Sequence, residues 1–255
     1  MSLQGKTIVI TGTSSGIGAE VAKLARFQGA KVIGVDRNDP SLTLDGFVKA
    51  DLGTTAGIDA AVAQLPTQFD ALCNVAGVPG TADGDLVARV NYLGLRHLTE
   101  QVLGRISRGG SIVNVSSILG YEWPKRLDSH KELATIQGFE AGAQWLAAHP
   151  VPYETCYQYF KEALIVWSTV QSQPWFLEKG VRMNCVAPGP VFTPILGDFV
   201  QMLGQERVQA DAKRMLRPGF SDEIAPVIAW LCSDAARWVS GANIPVDGGI
   251  AATYL

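Results

Sequence analysis

Thr7-Ile8-Val9-Ile10-Thr11-Gly12-Thr13-Ser14-Ser15-Gly16-Ile17-Gly18 is the stretch whose reading decides the fold. Thr7–Ile10 reads as a buried β-strand, and from about Ile17 to Gln28 the pattern turns helical. Between strand and helix lie three glycines in GxxxGxG spacing. Glycines at such a turn let the backbone approach a pyrophosphate, whose charge then rests on the helix N-terminus. Gly12, Ser14, Ser15, Gly16, Ile17 and Gly18 are therefore a candidate phosphate cradle. A glycine cluster alone also describes an ordinary tight turn; its place between a strand and a helix carries the argument.

Outward from this turn, short apolar runs alternate with helical patterns. Strands are expected at 31–35, ending on Asp36, at 47–50, ending on Asp51, and at 71–74, 111–115, 182–186 and 243–246. Helices are expected near 56–65, 84–105 and 155–172. This order of βα units predicts an α/β fold: one doubly wound, Rossmann-type parallel sheet of about seven strands, with helices on both faces. Residues 1–255 contain no linker, repeat or low-complexity segment, so a single domain is expected. Two stretches break the alternation, at 119–153 and at 192–218; long segments in compact domains are usually functional or mobile.

Composition narrows the function. The 255 residues are 47% hydrophobic and 18% charged, with a net charge of −3, which gives no reason to expect nucleic acid or an anionic membrane as partner. No apolar run approaches the roughly 20 residues of a membrane span, and no signal peptide is read at the start. Cys73, Cys156, Cys185 and Cys232 form no CxxC pair and suit reduced thiols in a cytoplasmic protein. His97, His130 and His149 match no ligand spacing, so no metal is expected.

Asp36 lies 18 residues beyond Gly18, where a carboxylate would bond the adenosine ribose hydroxyls and repel a 2′-phosphate. NAD is accordingly expected over NADP, although Arg37 beside it would suit that phosphate. Asp51, with Leu52 next to it, is placed to touch the adenine, but an acid ending a strand is also a common helix cap. Gly12-Thr13-Ser14-Ser15-Gly16 satisfies the G-x-S-x-G nucleophile elbow as well. That reading fails on order, because no earlier strand supplies an oxyanion hole and no histidine follows His149.

Tyr157 and Lys161 stand four apart, on one face of the expected helix. A free tyrosine, with a pKa near 10, is a poor base at neutral pH. A neighbouring ammonium would stabilise its phenolate, so that Tyr157 could take a proton from an alcohol or return it to a carbonyl. Tyr153 and Tyr159 have no lysine four residues on. Such a pair also arises by chance on many helices.

With Asn74-Val75-Ala76-Gly77, Val90-Asn91, Val115-Ser116-Ser117, Ala187-Pro188-Gly189 and Val246-Asp247-Gly248-Gly249 in the same order, the chain resembles the short-chain dehydrogenase/reductase family over nearly its whole length. The resemblance implies that Ser117 hydrogen-bonds the substrate oxygen and that Tyr157 is the acid/base. Lys161 would hold the nicotinamide ribose, and Asn91 would position a proton-relaying water. Pro188, Gly189, Val191 and Thr193 would hold the carboxamide; Asn74, Ala76 and Gly77 would lie beside the adenosine. It also implies a homo-oligomer, a dimer or a tetramer. Asn114-Val115-Ser116 is also a glycosylation sequon, set aside because it sits in a buried strand.

Two features depart from the family pattern. Phe160 stands where relatives carry a small residue, and Ser117 and Tyr157 are 40 positions apart. The extra segment, with Tyr121, Trp123, Phe139 and Trp145, is expected to wall the substrate pocket, to cover the helix faces used for oligomerisation, or both. Residues 192–218, with Phe192, Leu196, Phe199, Met202 and Leu203, are expected to close over the substrate as a lid; a plain amphipathic helix is the alternative. The insertion resembles the branch of the family that acts on 3α-hydroxysteroids and carbonyls, and the full pattern, through the stretches at 73–83, 156–164 and 188–195, resembles members that act on aromatic allylic alcohols such as coniferyl alcohol. An NAD-dependent alcohol dehydrogenase is expected; the alternatives are a hydroxysteroid dehydrogenase or carbonyl reductase, and a silent NAD-binding sensor.

Overall fold

The first strand, β1 (Thr7–Thr11), is followed by α1 (Gly16–Phe27), β2 (Lys31–Asp36), β3 (Gly46–Lys49), α2 (Thr55–Gln64) and β4 (Phe69–Asn74) in a computed structural model describing residues 2–254, with the side chains of residues 199 and 212 outside the described set. Next come α3 (Gly84–Ala88), a π-helical turn (Arg89–Gly94), α4 (Leu95–Val102) and β5 (Ile106–Val115). The insertion holds α5 (Leu127–Thr135) and α6 (Phe139–Ala148), and it leads into α7 (Cys156–Lys179) and β6 (Arg182–Pro188). Then β7 (Val191–Phe192), α8 (Leu196–Leu203), α9 (Gln205–Arg214) and β8 (Gly219–Phe220) precede α10 (Ser221–Cys232) and β9 (Asn243–Val246).

Seven strands form one sheet in the order β3-β2-β1-β4-β5-β6-β9, every neighbouring pair parallel. Parallel strands covered on both faces bury nearly every side chain, which is why Ile8, Val9 and Ile10 are all apolar and buried. Apolar residues of α1 and α10 share a cluster on one face, and α2, α4 and α7 contribute to a second cluster on the other. The chain winds from β1 outward to β3 and then returns to β4 on the other side of β1. That reversal opens a crevice beyond the carboxyl ends of β1 and β4, where open α/β sheets hold ligands.

Several elements differ from the sequence expectation. The helix expected at 84–105 is interrupted by the π turn, and β5 starts at Ile106 rather than Ser111, with a register shift against β4 between Phe69 and Ala71. Helix α7 continues through Pro174 to Lys179 and stops at Gly180, whose left-handed backbone (φ 68°) closes the last turn by donating to the Phe176 carbonyl. Helix α10 was not anticipated.

The insertion is fastened to the body by two charged clusters, one around the buried Arg96 and one around the buried Glu162. Arg96 of α4 donates to the carbonyls of Leu133 (3.0 Å) and Ile136 (2.6 Å), capturing the free C-terminal end of α5. From the insertion, Arg126 grips both oxygens of Glu162 on α7 (2.7 and 2.8 Å), and His130 Nε2 lies 2.9 Å from the same carboxylate. Glu162 is fully enclosed, and these partners satisfy both of its oxygens. Arg126 is 38% exposed and His130 stays on the same carboxylate, so solvent screening softens the loss. Arg126→Ala should therefore cost about 1 kcal/mol of unfolding free energy, read as a lower urea midpoint at unchanged slope.

Candidate active site

The nucleotide end is built by close backbone contact between β1 and β4. The Thr11 hydroxyl accepts from the amides of Val75 and Ala76, each at 3.0 Å. Gly12 has φ 79°, and a Cβ there would fall 2.8 Å from the Ala76 nitrogen. A Cβ on Gly18 would come within 2.1 Å of the Gly12 carbonyl, so only glycine lets α1 descend this far onto the turn. Ser15 makes no side-chain cap, and the first turn of α1 carries no acid. The positive end of the helix thus faces the crevice without an acceptor, as a pyrophosphate requires. These residues fit a nicotinamide dinucleotide.

Asp36 is more than a ribose acceptor in waiting. Its Oδ2 accepts from the Ser14 amide and its Oδ1 from the Asn38 amide, both at 2.9 Å, so it also braces the cradle. Asp51 does not cap α2; Thr54 does, accepting from Gly57, while Asp51 closes a local turn onto the Gly53 amide. Asp51, Leu52, Ala76 and Gly77 line the same cleft as Gly12, Ser14, Ser15, Gly16, Ile17 and Gly18. On the opposite wall stand Pro188, Gly189, Val191 and Thr193, and a Cβ on Gly16 would lie 3.2 Å from the Thr193 methyl.

At the other end, β5 delivers Ser117 and the first turns of α7 deliver Tyr157 and Lys161, all three lining the cleft. The Tyr157 hydroxyl is hydrogen-bonded to Ser117. Lys161 Nζ donates to the Val115 carbonyl at 2.8 Å and lies 5.6 Å from the centre of the Tyr157 ring. Burial lowers Lys161 to about 8, with Cys185 opposing. Burial also pushes the Tyr157 phenol up, offset only in part by Ser117. The lowering expected from the Lys161 ammonium is not among the influences on the phenol here, where burial dominates. Desolvation outweighs an ammonium that is already bonded to a carbonyl.

Two expected site residues do not reach the cleft. Asn74 is buried between Thr99 Oγ1 (2.9 Å) and Asn114 Oδ1 (2.8 Å), tying β4 to α4 and β5. Asn91 sits in the π turn with its amide spent on both backbone groups of Val78, at 2.8 and 2.9 Å. Any part it plays in proton relay must use its main chain. A π turn in a helix is itself a frequent mark of a functional position.

The insertion does not wall the pocket with its aromatic rings. Phe139 is buried in the core, Tyr121 stacks on Tyr254 and Trp145 on His149; of residues 119–153, only Leu119 lines the cleft. What the insertion covers is α4 and α7. From residues 192–218, Leu203 lines the cleft and Met202 abuts Gly80, whereas Phe192 is exposed and stacked on Phe220; the Phe199 side chain lies outside the described residues. Val78, Val90, Ile118, Ile195 and Asp211 are further lining residues that the sequence reading missed. No sequence signal marks Asp211, one of several charged residues on the polar helix α9.

Such a cleft, with a phosphate cradle at one end and a serine, tyrosine and lysine at the other, defines a nicotinamide-dependent oxidoreductase. The chain belongs to the short-chain dehydrogenase/reductase family: residues 6–126 match the short chain dehydrogenase family and residues 144–251 the family described as enoyl-(acyl carrier protein) reductase. It is 66% identical over the full length of both chains to coniferyl-alcohol dehydrogenase of Pseudomonas sp. strain HR199. It is 34% identical to 3-alpha-hydroxysteroid dehydrogenase/carbonyl reductase of Comamonas testosteroni, over 95% of each chain. The crystal structure of 3-alpha-hydroxysteroid dehydrogenase from Pseudomonas sp. B-0831 complexed with NADH superposes with a TM-score of 0.81 at 31% identity, covering 97% of this chain and 98% of that one.

The lowered Lys161 has a measurable signature. Between about pH 8 and its ordinary value of 10.5 the unfolded chain holds a proton on this lysine that the folded chain releases, so the Lys161 contribution grows more favourable as pH rises. Against Lys161→Met, the wild type should gain about 2–3 kcal/mol of relative unfolding free energy across that window. Urea titrations of both proteins check this; the difference cancels the contributions of Cys73 and Cys232, whereas Cys185, which faces Lys161, is part of the measured effect.

Proposed function

We propose that this chain is an NAD-dependent alcohol dehydrogenase that oxidises an aromatic allylic alcohol, coniferyl alcohol or a near relative, to its aldehyde. The observation that carries the chemistry is the convergence of Ser117, Tyr157 and Lys161 at one end of a cleft whose other end is braced by Asp36. The substrate assignment rests on the full-length similarity to coniferyl-alcohol dehydrogenase and on the apolar walls offered by Val78, Ile118, Leu119, Ile195 and Leu203. A 3α-hydroxysteroid is the second reading, favoured by the likeness to hydroxysteroid dehydrogenases.

In this mechanism Ser117 donates to the carbinol oxygen and orients it toward Tyr157. When bound, the oxidised nicotinamide supplies the hydride acceptor and a positive charge beside the phenol. Tyr157 then takes the hydroxyl proton as the carbon–hydrogen bond breaks, and the reverse direction returns it. Lys161, fixed to Val115, holds its charge near the phenolate and passes the proton on toward the main chain at Asn91. The buried, largely apolar surroundings strengthen each of these electrostatic effects.

NADH formation with coniferyl and cinnamyl alcohols, a 3α-hydroxysteroid and a simple secondary alcohol tests the substrate. Preference for the phenylpropenyl alcohols is expected; preference for the steroid moves the assignment to the second reading. Tyr157→Phe should lower kcat by about 10²–10⁴-fold while NADH still binds in a fluorescence titration. Asp36→Ala should raise kcat/KM with NADP at least about tenfold relative to NAD, since a 2′-phosphate no longer meets a carboxylate. An unaltered ratio would remove Asp36 from cofactor choice.

A further inference from the structure

The cleft contains a third carboxylate, far along the chain from the two at its adenosine end. Asp211, on lid helix α9, lines the same cleft as Ser117 and Tyr157 and is only 7% exposed. Its nearest cations are Arg207 at 3.9 Å and Arg214 at 3.8 Å, both too distant for a hydrogen bond and both about half exposed. Among the described residues, none donates a hydrogen bond to it. The two arginines therefore flank the carboxylate without bonding it, and its oxygens have no protein donor among the described residues.

Its position relative to the chemistry follows from its neighbours. Met215, one helical step further on, packs with Ile118, the residue after Ser117. Tyr254, whose phenol is raised by burial and by the Asp211 charge, stacks on Tyr121 at 4.8 Å. Asp211 thus lies on α9 one turn before Met215, which packs with the neighbour of Ser117, and close enough to Tyr254 for its charge to act on that phenol. A buried carboxylate without a donor is unfavourable, and a hydroxyl carried in by the ligand corrects this with a charge-assisted bond.

We propose that Asp211 determines substrate specificity by accepting a hydrogen bond from a phenolic hydroxyl at the end of the substrate opposite the reacting carbinol. This rests on the aromatic allylic alcohol reading above and adds to it a requirement that the ring be hydroxylated. A site built to receive a hydroxyl rejects the analogue that lacks it more strongly than an apolar pocket rejects a missing methylene.

The test compares three alcohols on wild type, Asp211→Asn and Asp211→Ala: coniferyl alcohol, its phenolic methyl ether, and cinnamyl alcohol, which has no ring substituent. In the wild type, kcat/KM for coniferyl alcohol should exceed that for the other two by about 10- to 100-fold. Asp211→Ala should remove most of that advantage through KM, leave the ether and cinnamyl alcohol within about twofold, and Asp211→Asn should fall between. Equal losses on all three alcohols would make Asp211 a lid-folding residue, and no loss on coniferyl alcohol would make it a bystander. Either result overturns the inference and leaves the proposed function standing. Wild-type silence on all three alcohols, with turnover of another substrate, overturns both.

Discussion

The hydrogen bond from Lys161 to the Val115 carbonyl is the constraint on which the site depends. Val115 is the last residue of β5, and Ser117 lies two residues beyond it. Fixing Lys161 to that carbonyl fixes the rotation of α7, and Tyr157, one turn earlier, is thereby aimed at Ser117. Val115 also pairs in register with Val186 of β6, so Pro188 and Gly189 emerge level with the serine. One contact therefore sets the catalytic groups and the far wall of the cofactor cleft in a common frame. Its cost is a buried ammonium, visible in the lowered Lys161.

Residues whose role depends on local spacing could be read directly from the sequence. The glycines of the first turn, Asp36 at the strand end and the Tyr157–Lys161 pair each need only neighbours within a turn or two of chain. Features that depend on distant packing could not. The π turn at 89–94 is held by Asn91 against Val78, thirteen residues away, and no periodicity announces it. Thr54 rather than Asp51 caps α2 because the chain takes one extra turn before the helix begins. The rise of the Tyr157 phenol comes from enclosure by segments as remote as Gly80, and spacing along a helix carries no information about enclosure. Asp211 belongs to the same group: in the sequence it is one acid on a polar helix.

The insertion between Ser117 and Tyr157 shows how extra chain is accommodated inside a catalytic frame. It enters and leaves at the cleft, yet its helices lie against α4 and α7, anchored by buried apolar residues such as Leu133 and Phe139 and by charges. Glu162, the central anchor, follows Lys161 immediately. The helix that holds the base in place on one side thus holds the insertion on another, and stiffness supplied by one is felt by both. Buried ion pairs are weak contributors to net stability but strict about geometry. That strictness suits a segment whose two ends must return to one site.

The packing of α1 against α10 carries a consequence for how the molecule is made. Val21, Ala22 and Ala25 of the phosphate-binding helix share a core cluster with Ile224, Ala225 and Ile228. A ribosome that has released the chain as far as Thr193 has produced every residue of the cradle and the catalytic set. At that moment the first helix still exposes the apolar face that residues 221–232 will cover, and the sheet lacks its edge strand β9. The nucleotide half thus cannot mature ahead of the rest. Translation must run past residue 232 before the earliest part of the chain gains its cover, so termination ahead of that point leaves a sticky, unfinished product fit for chaperones or proteases and not a smaller working domain.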